Sequence, residues 1–246
     1  MNDPRHIPVA LDRVLSLLQP VLTEESVMVD ATTGLGGHTA AVLRRFPHAR
    51  VIGLDRDPHA VAAARQNLAE FGDRSDVHHA RYDQMGEVLD ELGIERVDAV
   101  LFDFGVSSMQ IDETERGFSY SRSAPLDMRM DPTTGPTAAD ICNTYSQSDL
   151  ARILWEYGEE RFARRIAREI IARRPLHTTD DLVAAVDAAI PAAKRRKGHP
   201  AKRTFQALRI EANEELASLK HALPISLQRL RTGGRFIALS YHSLED

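Results

Sequence analysis

Three glycines, Gly34, Gly36 and Gly37, lie between a strand-like run, Val27-Met28-Val29-Asp30, and a helical stretch that reaches Phe46. Small residues at such a junction let the backbone approach a ligand, and the helix start turns its free amides toward it. Asp55 ends the next strand-like run, Val51-Ile52-Gly53-Leu54-Asp55, nineteen residues after Gly36. A carboxylate there can accept hydrogen bonds from both hydroxyls of a ribose. Loop and acid together point to a nucleoside cofactor; the alternative is a tight turn and a strand-end acid in an α/β fold of other purpose. Asp57 is assigned to capping the following helix, with Pro58 in its first turn. A third group, DFGVSS from Asp103 to Ser108, ends the nearly continuous apolar run that starts at Val97. A carboxylate at that point can contact a substrate directly and accept its polar hydrogens. Asp103 can equally cap the next turn or bind the cofactor.

The elements that must hold these residues alternate. Leu11, Val14, Leu15 and Leu18 have helical spacing, and strands are expected at 27–30, 51–55, 77–80 and 97–103, with helices between them. The helix after Asp57 should turn Val61, Ala64, Leu68 and Phe71 inward and end near Gly72. Strands separated by helices imply a parallel, doubly wound sheet. From about Asp112 to His199 the strand pattern stops: 145–174 and 178–190 read as helical, followed by a basic loop, Lys194-Arg195-Arg196-Lys197-Gly198-His199-Pro200. A helix over about 204–221 returns the chain, and Gly233-Gly234 introduces a strand from Arg235 to Tyr241.

The composition agrees with a globular chain: 246 residues, 43% hydrophobic and 27% charged. No apolar run is long enough to span a membrane, and the first residues lack a basic leader followed by an apolar stretch, so a cytoplasmic protein is expected. The single cysteine, Cys142, forbids an internal disulfide framework, and the histidines lack ligand spacing, so no metal site is expected. Cys142 lies far from any strand-end motif and reads as a buried apolar residue. The net charge of -5 hides an asymmetry: 161–203 carries twelve Lys or Arg against four acids. On one helix Phe162, Ile166 and Ile170 form an apolar stripe beside Arg161, Arg164, Arg165 and Arg168. With Lys194 to Lys197 and Lys202-Arg203, these arginines suggest a track for RNA phosphates; a merely solvated face is the plainer explanation for the helix alone.

The dehydrogenase fingerprint would need a third glycine at Thr39, which disfavours a nicotinamide cofactor. Asp30 before the loop gives an acid-x-x-x-Gly-x-Gly pattern that resembles motif I of class I S-adenosylmethionine methyltransferases. The match then widens. DATTGLGGHT from Asp30, DFGVSSMQID from Asp103, RGFSY from Arg116, PLDMRMD from Pro125, YGEERFARRIA from Tyr157, HPAKRTFQALRI from His199 and HSLED from His242 together resemble the MraW/RsmH family. The resemblance runs from His6-Ile7-Pro8-Val9 to the last residue. Phe104 stands where leucine is usual, Ser123-Ala124 where Asp-Gly is usual, and Thr232 where proline often precedes the double glycine.

The resemblance implies a class I methyltransferase sheet of 1–111 and 205–246, interrupted by a helical insertion of 112–204 that recognises RNA. It implies S-adenosylmethionine as cofactor, contacted by Gly36, Gly37, His38, Asp55, Tyr82, Asp103 and Gln110, with Asp103 also the catalytic residue. The implied substrate is the N4 amine of a decoding-centre cytidine in 16S ribosomal RNA, met as RNA or as the small subunit. A non-catalytic RNA-binding or assembly factor on the same scaffold and a nicotinamide-dependent oxidoreductase are the alternatives. Relatives continue past HSLED, so a longer parent protein, with further strands beside the fifth, is also expected.

Overall fold

The computed structural model describes residues 8–23, 25–107, 110, 113–191 and 198–245. The basic stretch Lys194–Lys197 lies outside the described residues. The chain divides into two compact units, 1–105 with 216–246, and 106–215.

The first unit carries five parallel strands, β1 (Val27–Asp30), β2 (Arg50–Asp55), β3 (Ser75–His79), β4 (Val97–Asp103) and β5 (Leu230–Leu239), in the order β3-β2-β1-β4-β5. The order reverses at β1, and the crevice at the carboxyl ends beside it is where open α/β sheets take ligands. Helix α1 (Leu11–Leu18) precedes β1, and α2 (Gly37–Arg45), α3 (Pro58–Asn67) and α4 (Met85–Glu91) connect β1 to β2, β2 to β3 and β3 to β4. Side chains alternate along each strand and supply two cores. Val29, Ile52, Leu54, Val100 and Phe102 pack with Met85, Val88, Leu89, Leu219 and Ala222 on one face. Met28, Val51, Ala99 and Leu101 pack with Val14, Leu18, Val42 and Leu43 on the other. Burial on both faces explains why β4 reads as continuous apolar sequence. Replacing Leu101 by alanine is expected to lower unfolding free energy by about 2–5 kcal/mol, read as a lower urea midpoint with little change in slope.

Two elements of the chain differ from expectation. Strand β5 starts at Leu230, so Gly233 and Gly234 lie inside it, where its register against β4 slips between Val97 and Ala99. It ends at Leu239, which leaves Tyr241 in the following turn. The expected helix over 204–221 is two helices, α9 (Lys202–Asn213) and α10 (Glu215–Arg229), broken where Glu214 takes φ 50°.

The second unit is helical: α5 (Ala138–Thr144), α6 (Gln147–Glu156), α7 (Ala163–Arg173), α8 (Thr179–Ala189) and α9. Thr137, Ser146 and Thr178 cap α5, α6 and α8, each accepting a backbone N–H from an aspartate three residues on. The expected helix over 145–174 breaks between α6 and α7, where Glu159 has φ 47°. Ile141, Cys142, Ile153, Leu154, Ile166, Ile170 and Leu182 share one core with Phe205 and Leu208 of α9. Because α9 packs here, the unit extends to 215, beyond the expected boundary at 204. The Arg116 guanidinium donates to the carbonyls of Arg129 and Met130, and the Asn213 amide donates to Met128 O at 2.7 Å and accepts from Met130 N at 2.7 Å. The RGFSY and PLDMRMD segments therefore hold each other in place. Burial pushes the Cys142 thiol up to about 12, which keeps it protonated and inert.

Candidate active site

The carboxyl ends of β1, β2 and β4 gather the polar groups of the first unit. Asp30, at the end of β1, is enclosed at 1% exposure and accepts from the Thr39 hydroxyl at 2.7 Å and more weakly from Thr32 N at 3.4 Å. Burial holds its carboxyl above the ordinary range. Asp30 thus braces the start of α2 from beneath, and Thr39, where a dehydrogenase has glycine, supplies the donor.

Gly36 caps α2 with φ 85°, a conformation that favours glycine, and a β-carbon there would stand 3.0 Å from Leu68. Its neighbours Gly37 and His38 open the helix. His38 is buried and its Nε2 lies 3.1 Å from Val9 O; since a carbonyl can only accept, Nε2 carries the proton. Its other nitrogen, Nδ1, stands 3.8 Å from Asp103 Oδ2.

Asp55 ends β2 and holds the glycine loop directly. Its Oδ2 accepts from Gly34 N at 2.7 Å and its Oδ1 from Asp57 N at 2.9 Å. Burial nevertheless pushes its carboxyl up to about 6. Each oxygen retains a further acceptor position, so added hydroxyl donors would favour the ionised form. Asp57 accepts from His59 N at the head of α3, the capping role expected of it.

Asp103 ends β4. Its backbone N–H donates to Thr32 Oγ1 at 2.6 Å, its Oδ1 accepts from the Tyr241 hydroxyl at 2.6 Å, and its side chain is 25% exposed. Among the described residues Oδ2 has no hydrogen-bond partner. Tyr82 follows β3 and meets Phe102 edge-on at 5.6 Å, within an aromatic cluster that also takes in Phe104. It is half-buried, one edge committed to that cluster. Gln110 belongs to the second unit, where its Oε1 accepts from Ser107 N at 3.0 Å and its own N–H donates to Ser107 Oγ at 3.2 Å. The first unit therefore brings together Gly36, Gly37, His38, Asp55 and Asp103. Sequence reasoning passed over Thr32 and Tyr241, which touch Asp103 from the turn after β1 and from the turn after β5.

A family model described as the MraW methylase family matches residues 3–246. The chain belongs to that family. The ribosomal RNA small subunit methyltransferase H of Nocardioides sp. is 60% identical over 100% of this chain and 79% of its own length. That of Thermobifida fusca is 57% identical over 99% and 75%. Among solved structures, a putative rRNA-methylase from Clostridium thermocellum covers 41% of this chain and 54% of its own at 26% identity, with a TM-score of 0.35, too remote to carry site residues across.

As a member of the MraW methylase family, the protein is an S-adenosylmethionine-dependent methyltransferase with the class I sheet. The nicotinamide alternative falls with that membership. The residues present fit the cofactor: a helix start at a glycine turn, with no side-chain cap bond, can take its amino-acid end, and Asp55, whose oxygens each accept one N–H and retain a further position, can take its ribose diol.

Proposed function

We propose that the protein methylates the exocyclic N4 amine of a specific cytidine in the decoding centre of 16S ribosomal RNA. The observation that carries this reading is Asp103: a partly exposed carboxylate at the end of β4, one oxygen held by Tyr241 and the other without a hydrogen bond among the described residues. When bound, S-adenosylmethionine supplies a methyl group on a positively charged sulfur. Gly36, Gly37 and His38 border its amino-acid end, Asp55 accepts its ribose hydroxyls, and Tyr82 offers a ring near its base. Gln110 contributes by fixing the Ser107 turn just after Asp103. Asp103 Oδ2 accepts an amine hydrogen, which localises the nitrogen lone pair, and takes the proton released when nitrogen gains its methyl. His38, whose Nε2 donates to Val9 O, stands beside that oxygen with Nδ1 3.8 Å away. The target base must be unstacked from its RNA to reach these groups. The names of the relatives support ribosomal RNA of the small subunit as substrate.

The second unit is the RNA-recognition part in this reading. Ile166 and Ile170 are buried under α7, while Arg161, Arg164, Arg165 and Arg168 are exposed, and no ion pair joins them to an acid among the described residues. Exposed, unneutralised guanidinium groups along α7, with Arg161 just before its first residue rather than on the helix as expected, suit phosphate contacts. Changing both Arg164 and Arg168 to glutamate is expected to weaken RNA binding about tenfold or more and to reduce the salt slope by about 2. An unchanged slope by filter binding would remove this helix from the RNA surface.

The reading is tested by label transfer from S-adenosylmethionine to small-subunit particles and to deproteinised 16S RNA lacking the modification. Incorporation into either is expected. Cofactor binding without incorporation into any of them would favour the non-catalytic assembly factor.

A further inference from the structure

The turn after β5 is built around one glutamate. Glu245, whose side chain is only 5% exposed, accepts from Tyr241 N at 2.9 Å through Oε2 and lies 3.0 Å from His242 Nε2 through Oε1. The Glu245 N–H donates to His242 O at 3.1 Å, and the Ser240 hydroxyl donates to the same carbonyl at 3.2 Å. The backbone of Tyr241 is thereby fixed outside the strand. Its ring lies on Gly105, which has φ 100°, so that ring carbon Cδ2 stands 3.8 Å from where a β-carbon would be. Phe104 N donates to Leu239 O at 3.1 Å, which ties the two segments together just below. The tyrosine remains 54% exposed, yet its hydroxyl reaches Asp103 Oδ1 at 2.6 Å.

A carboxylate without such a bond can swing between rotamers and offer either oxygen. The bond from Tyr241 to Oδ1 selects one rotamer, in which Oδ2 is the oxygen on the His38 side and accepts no hydrogen bond among the described residues. We infer that Tyr241 is a positioning residue for methyl transfer, holding Asp103 so that Oδ2 is presented to the target amine, and that Glu245 keeps Tyr241 in place. The inference rests on the role proposed for Asp103. Burial, and then the Asp103 carboxylate, hold the Tyr241 hydroxyl well above the ordinary phenol range, so it remains a donor at working pH. Among the described residues, the titratable groups around Asp103 are Asp30 from β1, His38 from α2 and Tyr241, with Glu245 beyond the tyrosine.

The test compares Tyr241→Phe, Glu245→Ala and Asp103→Ala with the unchanged protein on small-subunit particles at saturating S-adenosylmethionine. Tyr241→Phe keeps the ring on Gly105 and removes only the donor. Its kcat is expected to fall about 10- to 100-fold, with cofactor affinity within about twofold by calorimetry. KM for the particles should change by no more than about twofold, so that the loss falls on kcat. Glu245→Ala keeps the hydroxyl but frees the turn, and should lower kcat by a smaller amount with KM likewise kept. Normal kcat in both variants, with Asp103→Ala inactive, would overturn the inference and leave the role of Asp103 standing. An active Asp103→Ala would overturn that role and this inference together. Should Tyr241→Phe fail to fold, Glu245→Ala alone decides.

Discussion

Asp103→Ala is expected to lower kcat for RNA methylation by about 1,000-fold or more while the protein remains folded. The arithmetic follows from what the side chain does. A cytosine amine is a weak nucleophile, and removing one preorganised polar group from a developing charge typically costs about 100- to 1,000-fold. Loss of the proton acceptor at the same atom adds to that. The fold should tolerate the change, because the Asp103 backbone bond to Thr32 and the β4–β5 register do not depend on the carboxylate. Circular dichroism and a thermal midpoint check folding; single-turnover label transfer reads the chemistry. Cofactor affinity should fall much less than kcat. Activity within a few-fold of the unchanged protein would remove Asp103 from the mechanism.

Cofactor affinity is expected to fall by about tenfold per pH unit below about pH 6, and to level above it. Burial raises the Asp55 carboxyl to about 6 in the ligand-free protein, so acid protonates it early. Ribose hydroxyls bind best to the ionised form, so protonation competes with binding. The same shift acts on folding with the opposite sense. An acid whose folded value lies above its unfolded value of 3.8 contributes stability that is full below about pH 4 and lost as pH rises through about 6. Ligand affinity therefore improves across the interval in which this contribution to stability declines. Asp55→Asn should bind S-adenosylmethionine about 100-fold more weakly and lose the pH dependence near 6, since it keeps the shape but not the charge. Calorimetry from pH 5 to 8 measures both. A flat profile for the unchanged protein would show that Asp55 does not meet the ribose.

Much of this arrangement is legible in the sequence because it is local. Asp57-Pro58 is a helix start with its own cap, and the glycine loop lies within a few residues of Asp30. The continuous apolar run of β4 is itself the signature of a strand covered on both faces. What the sequence hides comes from long-range contacts. Tyr241 and Asp103 are 138 positions apart, and no local pattern distinguishes a tyrosine that donates to a carboxylate from one that covers a strand. Periodicity extended β5 through Tyr241, whereas the hydrogen bonds of Glu245 end the strand earlier and turn the ring onto Gly105. Helix α9 looked like the start of the return to the sheet because 204–221 has unbroken helical spacing. Asn213, anchored on Met128 and Met130, marks the break that spacing alone does not reveal. Motifs read only as family markers, RGFSY and PLDMRMD, prove to be mutual supports within the helical unit.

The most direct test is the identity of the methylated nucleoside. Small-subunit particles lacking the modification, incubated with the protein and labelled S-adenosylmethionine, should yield N4-methylcytidine on nuclease digestion and mass spectrometry, at a single decoding-centre position. Label recovered instead on carbon 5, on a ribose oxygen or on adenine would contradict an amine held by Asp103 Oδ2, and with it the function proposed for this site.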